Sequence, residues 1–348
     1  MRKAVLDLLS VPQQRRESIE RLARELRAGR SVAISTHINA DGDGCGSETA
    51  LSRLLGQMGI RSRIVNPTPW PEMYKFLLAA DVRDASDMGA KALAESDVLI
   101  VLDISDVKRL GVLAEAVRKL KIPKLVIDHH LPSDEPPSTL MVADTTACAT
   151  GELIYDFATC LGLEITPVIA RSLYVALLTD TGGFRFSNTT ARCLSIAGQL
   201  IALGVEPEEM YGRLYASMPV GRLHLLRDAL ATLEVDAEYG ISWISVAAGA
   251  AEEYGLKSED LEGIAEHPRS IGGTRLALFF RDLGHDKVKV SFRSTGDVDV
   301  NKFAKMFGGG GHARAAGALI DGNLESVRHK VVAAAREFLR AEDKAGVA

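Results

Sequence analysis

Seven side chains able to bind a metal stand close behind apolar runs in the first part of the sequence. They are His37, Asp41, Asp43, Asp103, Asp128, His129 and His130. Imidazole suits transition metals and carboxylate suits harder ions, so the mixture favours Mn²⁺, Fe²⁺ or Zn²⁺ over Mg²⁺ alone. Because no thiolate motif accompanies them, we expect Mn²⁺.

These side chains are too numerous for a single ion. Asp180 adds another carboxylate after the apolar residues 173–178. Two ions roughly 3.5–4 Å apart, bridged by a carboxylate, fit the number of ligands and are the usual apparatus of phosphoester hydrolysis. Each residue alone has a simpler explanation, such as a tight turn at Asp41 and Asp43 or a helix cap at Asp103. Their joint occurrence at the ends of predicted elements favours the metal site.

The elements that must position these side chains are predicted to form a parallel sheet. Apolar strands without polar alternation are separated by amphipathic helices, which is typical of a doubly wound α/β sheet with helices on both faces. Active sites of such sheets lie at the carboxyl ends of the strands, where these residues stand. The predicted strands are 31–35, 61–65, 97–103 and 124–128, and the predicted helices are 14–29, 46–59, 110–120, 149–161, 167–178 and 191–203. We expect the arginines of 14–29 to face solvent.

The second half of the chain is predicted to form a smaller α/β domain with a mixed sheet. Segments 275–281 and 287–293 are expected to pair in antiparallel fashion across a short turn. The predicted division is residues 1–205 for the catalytic domain, 206–233 for a helical linker and 234–342 for the smaller domain. We expect the active-site cleft to lie between the two domains.

A run of four glycines in the second half is a candidate anion site. Gly308, Gly309, Gly310 and Gly311 are followed by His312 and Arg314, and the run is predicted to lead into a helix start. Glycines let backbone N–H groups approach an anion, and a neighbouring cation favours phosphate. A flexible linker is the alternative. Ser291 and Arg293, at a predicted strand end, are candidates to join the site, although Arg293 could also be a plain surface residue.

The bulk composition excludes several classes of protein. A net charge of −5 argues against a protein that coats long duplex nucleic acid. The four cysteines form no CxxC pair, so we expect reduced and mostly buried thiols. No apolar run is long enough to span a membrane, and the start of the chain lacks the features of a signal peptide. We therefore expect a cytoplasmic protein.

Together these motifs resemble those of the DHH phosphoesterases. The resemblance rests on His37-Ile-Asn-Ala-Asp41-Gly-Asp43, Asp103, Asp128-His129-His130 and Asp180-Thr-Gly-Gly-Phe-Arg-Phe-Ser-Asn-Thr. In the second half, Ser291-Phe-Arg293-Ser and the glycine run through Gly317 are similar to the DHH-associated C-terminal domain. Ala40 departs from the proline that many members carry, but it is not a ligand position.

The resemblance implies a role for each candidate residue. His37, Asp41 and Asp103 would hold one Mn²⁺, and Asp103 would bridge to a second ion. Asp128 would orient His129, and His130 would face the scissile phosphate. The second ion would be held by Asp43, Asp103, His129 and Asp180. The substrate's other phosphate or terminal nucleotide would be bound by Ser291, Arg293, Gly309, Gly310, Gly311, His312 and Arg314. Gly42 and Gly44 would let the backbone turn sharply, so that neighbouring carboxylates reach different ions.

The two-domain length most resembles the nano-RNase type of this family. That type implies hydrolysis of RNA of 2–5 nucleotides to nucleoside 5′-monophosphates, and of 3′-phosphoadenosine 5′-phosphate (pAp) to AMP, with Mg²⁺ or Co²⁺ as possible substitutes for Mn²⁺. A homodimer is possible.

Four alternatives remain open from the sequence. The first is a phosphodiesterase for cyclic di-AMP or pApA, which shares the motifs. A manganese inorganic pyrophosphatase would lack the glycine–histidine signature, and a RecJ-type exonuclease would carry additional nucleic-acid-binding modules. A non-catalytic nucleotide- or RNA-binding module would be expected to have lost metal ligands.

Overall fold

The computed structural model describes residues 8–216, 219–261, 263–311 and 313–345. The chain forms two compact units, of which the first ends at Ala216. The division falls inside the segment 206–233 that was predicted to be a linker.

The first unit contains a five-stranded sheet in which every pair of neighbouring strands is parallel. The strand order is β2-β1-β3-β4-β5, which confirms the predicted parallel sheet. The strands are β1 (Ser31–Ser35), β2 (Arg61–Ile64), β3 (Val98–Leu102), β4 (Lys124–Asp128) and β5 (Met141–Ala143). The edge strand β5 was not predicted, because three residues are too few to show a pattern.

Helices cover both faces of this sheet, as predicted. The residues of β3 show why, since Val98, Ile100 and Leu102 enter one apolar core. Leu99 and Val101 enter another on the opposite face. The helices of the first unit are α1 (Gln13–Ala23), α2 (Gly42–Gln57), α3 (Ala90–Ala94), α4 (Ala114–Lys119), α5 (Thr150–Leu161), α6 (Pro167–Asp180), α7 (Ala191–Ala202) and α8 (Pro207–Tyr215), with 3₁₀ turns at Glu72–Leu77, Ser86–Met88 and Val107–Leu113.

Helix α2 begins four residues earlier than predicted, so the sharp turn expected at Gly42 and Gly44 is wrong. Both glycines lie in the first turn of the helix, and neither has a positive φ. A Cβ at Gly42 would overlap the side chain of Thr179, and one at Gly44 would press on Thr36. The glycines are therefore needed for close packing rather than for turning.

Two further predictions about helices of the first unit are corrected. Helix 110–120 is interrupted, because Gly111 has φ 51° and breaks the 3₁₀ segment Val107–Leu113 that precedes α4. The arginines of α1 do not all face solvent, since Arg15 is only 4% exposed and is ion-paired within the unit.

The second unit contains a six-stranded mixed sheet, which confirms the predicted class. Only the pair β7–β8 is parallel, and the order is β10-β11-β9-β8-β7-β6. The strands are β6 (Glu234–Asp236), β7 (Ile241–Val246), β8 (Leu276–Asp282), β9 (Lys287–Ser294), β10 (Gly310–Gly311) and β11 (Ala315–Asp321). The helices are α9 (Val220–Ala231), α10 (Ala250–Glu253), α11 (Glu266–Arg269), α12 (Val300–Lys305) and α13 (Leu324–Ala345), with a 3₁₀ turn at Ser258–Leu261.

The predicted linker segment is divided between the units. Met210 and Leu214 of α8 belong to the apolar core of the first unit. Leu225 and Ala229 of α9 pack with Ile244 in the second unit. Neither helix is therefore an unattached spacer.

The glycine run forms one side of a hairpin and leads into a strand, so the predicted helix start is wrong. Gly310 and Gly311 pair with Gly317 and Ala316 of β11. A Cβ at Gly309 would overlap the Gly317 carbonyl oxygen, so glycine is required there for the close approach of two backbones.

Among the described residues, no helix combines the length and the apolar composition that crossing a membrane requires.

Candidate metal centre

The structure brings the predicted metal-binding residues of the first unit together at the carboxyl end of its parallel sheet. One group consists of His37, Asp41 and Asp103, whose potential ligand atoms all lie within 4.8 Å of one another. A second group, within the same limit, consists of Asp43, His129 and Asp180. We call these the outer group and the inner group, because Asp41 is exposed and Asp43 is buried. We count Asp103 as shared by both groups, because it also faces His129 of the inner group.

Asp103 lies between the two groups, with one oxygen toward each. Its Oδ2 lies 3.4 Å from Nε2 of His37, and its Oδ1 lies 3.5 Å from Nε2 of His129. His37 Nε2 is also 3.7 Å from Asp41 Oδ2. His129 Nε2 is 3.7 Å both from Asp43 Oδ2 and from Asp180 Oδ2. This is the arrangement that a carboxylate bridging two ions requires.

The two imidazoles have a buried nitrogen without a hydrogen-bond partner. In both His37 and His129 this atom is Nε2, the one that faces the carboxylates. Nδ1 of His37 lies 2.8 Å from the Ile38 carbonyl oxygen, and Nδ1 of His129 lies 3.4 Å from that of Ala147. When Nδ1 donates its proton to a carbonyl, Nε2 presents a lone pair, which is the form that ligates metals. The residues present therefore fit a metal ion in each group.

The charges of the cluster also favour cations. Four carboxylates surround two imidazoles, so negative charge remains even when both imidazoles are protonated. Burial lowers the pKa of His37 and of His129, but attraction to Asp103 and its acidic neighbours outweighs burial and raises both to about 10.

The pKa values of the carboxylates are shifted in opposite directions. Burial, and then the charge of Asp103, raise the pKa of Asp43 well above its usual value. Burial opposes ionisation of Asp103 as well, yet His129 and His37 hold its pKa well below the usual range. The pKa of Asp180 is raised to about 6, chiefly by burial. A divalent cation would relieve the repulsion behind the raised values.

The backbone at Asp103 is held in an uncommon conformation. Its φ is 62°, in the left-handed region that usually requires glycine. A non-glycine residue held in such a region costs on the order of 1–3 kcal/mol. The strain is consistent with a position where the carboxylate is needed at the sheet edge.

Asp41 and Asp43 are positioned by the first turn of α2. The Asp41 carboxylate is the N-cap and accepts from the backbone N–H groups of Asp43 and Gly44, at 3.0 and 3.1 Å. Asp43 is inside the helix and 1% exposed. One helix start thus supplies a carboxylate to each group.

Several residues that support the inner group were missed from the sequence. The N–H of Thr150 donates to Asp43 at 2.6 Å and that of Gly151 donates at 2.9 Å. The hydroxyl of Thr150 donates to Asp103 at 3.0 Å. Asn188 Nδ2 donates to Asp180 Oδ2 at 3.1 Å. The sequence did contain a sign of this contact, because the predicted helix 149–161 starts at the amides of Thr150 and Gly151. The N-terminus of a helix favours an anion such as the Asp43 carboxylate.

One predicted role is corrected by the geometry. Asp128 does not orient His129, because its Oδ1 lies 2.7 Å from Nδ1 of His130. His130 Nδ1 also lies 3.6 Å from Asp103 Oδ1. Asp128 therefore holds the ring of His130, and the backbone carbonyl of Ala147 is the neighbour of His129.

In the second unit, strand pairing gathers part of the predicted substrate site. Gly317 of β11 pairs with Ser291 on one side and with Gly310 on the other. Arg293 is paired with Glu266 at 2.8 Å, and the N–H of Gly311 donates to Asn301, so neither group is unpartnered.

Three predicted residues of this site remain to be placed. Gly309 is half-buried, and Arg314 is exposed. His312 lies outside the described residues.

A parallel sheet with this histidine–aspartate cluster defines a phosphoesterase of the DHH class, and sequence comparison agrees. The DHH family N-terminal domain matches residues 31–177, and the DHHA1 domain matches residues 241–341. The chain belongs to the DHH family. It is a hydrolase acting on phosphoester bonds.

Two relatives are similar to this chain over most of its length. The bifunctional oligoribonuclease and PAP phosphatase NrnA of Thermus thermophilus is 32% identical, over 88% of this chain and 90% of the relative. The protein of the same name from Bacillus subtilis is 28% identical, over 86% and 92%.

Two solved structures are also similar to this chain. An exopolyphosphatase-related protein from Bacteroides fragilis aligns with a TM-score of 0.85 and 25% identity, covering 93% of this chain and 96% of that one. Thermus thermophilus RecJ in complex with Mn²⁺ aligns at a TM-score of 0.53 and 17% identity, over 96% of this chain and 55% of that one, which supports the fold alone.

Proposed function

We propose that this protein is a manganese-dependent, two-metal phosphoesterase acting on short oligoribonucleotides and on pAp. The products are nucleoside 5′-monophosphates in the first case, and AMP and phosphate in the second. One observation carries the proposal: two buried imidazole nitrogens, on His37 and His129, lack hydrogen-bond partners and face the two oxygens of Asp103. The substrates are those in the names of the NrnA relatives.

The two groups divide the ligands between the ions. His37, Asp41 and Asp103 hold the first ion. Asp43, Asp103, His129 and Asp180 hold the second. When bound there, divalent cations lower the pKa of water and offset negative charge on the phosphoryl oxygens.

The remaining polar residues act on the substrate. His130, oriented by Asp128, lies beside Asp103 and contacts the scissile phosphate. A hydrogen bond from a fixed imidazole to a phosphoryl oxygen stabilises the charge that develops in the transition state. When the ring of His130 carries both protons, its Nδ1–H donates to the Asp128 carboxylate and its Nε2–H donates to the phosphoryl oxygen.

In the second unit, Ser291, Arg293, Arg314 and the glycine hairpin with His312 bind the second phosphate or the terminal nucleotide. The pair between Arg293 and Glu266 is partly exposed. A phosphate with two negative charges competes well for that guanidinium, because bidentate arginine–phosphate contacts are charge-assisted.

A substrate panel tests the proposal. Purified protein is incubated with dinucleotides, pAp, pApA, cyclic di-AMP and pyrophosphate, each with Mn²⁺, Mg²⁺ or Co²⁺. We expect fastest turnover of dinucleotides and pAp with Mn²⁺. A preference for cyclic di-AMP or pApA would replace the proposed substrates, and rapid turnover of pyrophosphate with inert dinucleotides would overturn the proposal. The exposed Asp87, changed to Ala, serves as a control expected to match the wild type.

A further inference from the structure

A five-residue segment behind the metal centre contacts three of the four members of the proposed second-ion set. This segment, Ala147–Gly151, precedes and begins α5. Its Ala147 carbonyl faces Nδ1 of His129, and its Thr150 hydroxyl donates to Asp103. The backbone N–H groups of Thr150 and Gly151 hold both oxygens of Asp43. We call it the support segment.

The support segment reaches the fourth ligand through one amide. Asn188 Nδ2 donates to the Cys148 carbonyl at 2.9 Å and to Asp180 Oδ2 at 3.1 Å. In contrast, the hydrogen bonds of His37 and Asp41 within the described part of the chain go to Ile38, Asp43 and Gly44. The support segment therefore serves the inner group and, in the outer group, only the shared Asp103.

A buried ionic cluster holds the support segment in place. Arg15 of α1 contacts Glu152 at 2.8 Å, Asp156 at 2.6 Å and Asp144 at 2.7 Å. Arg192 of α7 contacts the same Glu152 at 2.8 Å and Asp156 at 2.6 Å. The side chains of Arg15 and Glu152 are each 2% exposed, and that of Asp156 is fully buried.

Glu152 connects this cluster to the segment itself. Its Oε1 accepts hydrogen bonds from the guanidinium groups of Arg15 and Arg192. Its Oε2 accepts a hydrogen bond from the N–H of Cys148 at 3.0 Å. Asp144 holds the first residue of the support segment, since its backbone carbonyl accepts a hydrogen bond from the N–H of Ala147 at 3.2 Å. A planar guanidinium holds several carboxylates in one fixed geometry, whereas an ammonium is a compact charge whose three donors rotate on a flexible stem.

We propose that Arg15 and Glu152 are positioning residues for the second metal ion and act through the support segment. Arg15 stands before residue 31, where the match to the DHH domain begins. This inference rests on the proposed two-metal function. Partners behind metal ligands typically change metal affinity by about 10- to 100-fold when they are removed.

Two conservative variants test this proposal. Arg15→Lys keeps the charge but loses the fork, and Glu152→Gln keeps the shape but loses the charge. The matched control is Leu22→Ala on the same helix α1, which opens a cavity in the core without touching the ionic cluster. Because Leu22→Ala also destabilises the unit, it separates a general loss of stability from a loss of positioning.

The first measurement is Mn²⁺ binding by calorimetry and electron paramagnetic resonance. We expect the wild type to bind two ions per chain and to show the spectrum of an exchange-coupled pair. In Arg15→Lys and Glu152→Gln we expect one ion to bind about 10- to 100-fold more weakly. The coupled spectrum should be lost at the concentration that saturates the wild type, and Leu22→Ala should keep both ions.

The second measurement uses metal-free protein, so that it does not depend on activity. We expect amide hydrogen exchange at Thr150 and Gly151 to accelerate in Arg15→Lys and Glu152→Gln by more than their loss of global stability explains. In Leu22→Ala we expect it to accelerate by no more than the loss of global stability.

The possible outcomes separate the two proposals. If both positioning variants bind two ions with wild-type affinity, or if Leu22→Ala loses an ion equally, the positioning role is overturned while the two-metal function stands. If the wild type itself binds no pair of ions, the proposed function fails, and this inference fails with it.

Discussion

The outer and inner groups of candidate ligands differ in how firmly the chain holds them. In the outer group, the Asp41 side chain is 51% exposed, and among the described residues its hydrogen bonds go to the start of its own helix. In the inner group, the Asp43 side chain is 1% exposed and receives two amides from another helix and the hydroxyl of Ser47. Two groups of similar composition are thus built by different means.

This difference teaches that shared ligand chemistry does not imply equal rigidity. A ligand fixed by buried hydrogen bonds from several elements is pre-organised, so less entropy is lost when an ion binds. An exposed carboxylate keeps its hydration and its mobility, and it must be ordered on binding. We therefore expect the inner group to bind its ion more tightly than the outer group.

The largest expected effect comes from the residue that the two groups share. Asp103→Ala removes one oxygen from each group, so we expect both ions to be lost and turnover of dinucleotides to fall by at least about 10³-fold, on the scale of losing a main source of transition-state stabilisation. Turnover and bound Mn²⁺ are measured together. Near-normal turnover would contradict the assignment of Asp103 as a bridging ligand.

The comparison itself is tested by Asp43→Asn and Asp41→Asn. Asn remains a good N-cap, so Asp41→Asn preserves the start of α2 while it weakens a ligand. We expect the tighter Mn²⁺ site to be lost in Asp43→Asn and the weaker one in Asp41→Asn, as measured by calorimetry. The reverse assignment would show that burial does not set the order of affinity.

Asp41→Ala provides the matched control, because it removes both the ligand and the cap. We expect it to bind Mn²⁺ like Asp41→Asn and to unfold with a free energy lower by about 1 kcal/mol, the usual value of an N-cap.

Removal of the metal should make stability depend on pH through the two histidines. Their pKa values are raised to about 10 in the folded chain, above the ordinary value of 6.5. A raised pKa means that the folded state binds protons more tightly than the unfolded state. The stabilisation is therefore complete below about pH 6.5 and is lost as the pH rises toward 10.

The measurement is the melting temperature of metal-free protein between pH 6.5 and pH 10. We expect it to fall with pH in the wild type and to fall less in a variant carrying His37→Gln and His129→Gln. If both proteins show the same slope, other groups account for the pH dependence.

A last effect, on stability alone, concerns the helix that supplies a carboxylate to each group. A Cβ at Gly46 would overlap the Ser172 carbonyl oxygen of α6, so Gly46→Ala forces two helices apart. We expect a loss of about 1–3 kcal/mol in the free energy of unfolding, typical of overpacking. Gly56→Ala, on the same helix with open space around it, should instead gain roughly 0.5–1 kcal/mol. Urea denaturation measures both, and equal effects would contradict the packing argument.

Much of the fold could be predicted from local patterns. The apolar runs at β1, β3 and β4 are long and unbroken, so their strand type and parallel arrangement followed from the sequence. The three-residue strand β5 and the break at Gly111 could not be predicted, because neither leaves a periodic pattern. The hairpin at Gly310–Gly311 was mistaken for a loop leading into a helix, because its strand character depends on β11.

The candidate site shows the same limit. His37, Asp41, Asp43, Asp103 and His129 could be proposed because metal-binding side chains stand where predicted strands end. The partner of Asp128 could not be predicted, because His129 and His130 are adjacent in the sequence. Only the direction in which the chain leaves the strand decides which ring faces the carboxylate. Arg15 was expected in solvent, since a surface-like helix carries no sign that three distant carboxylates converge on one of its arginines.

By itself, the sequence determined which chemical groups this protein possesses and at which sheet edge they gather, because residue type and strand direction are local properties. Only the tertiary structure decided which group faces which. It turned Asp43 inward and left Asp41 exposed on one helix start, and it placed the support segment behind the inner group. These relations join residues more than 100 positions apart, such as Asp43 and Thr150. They arise from packing, and no local pattern in the chain encodes them.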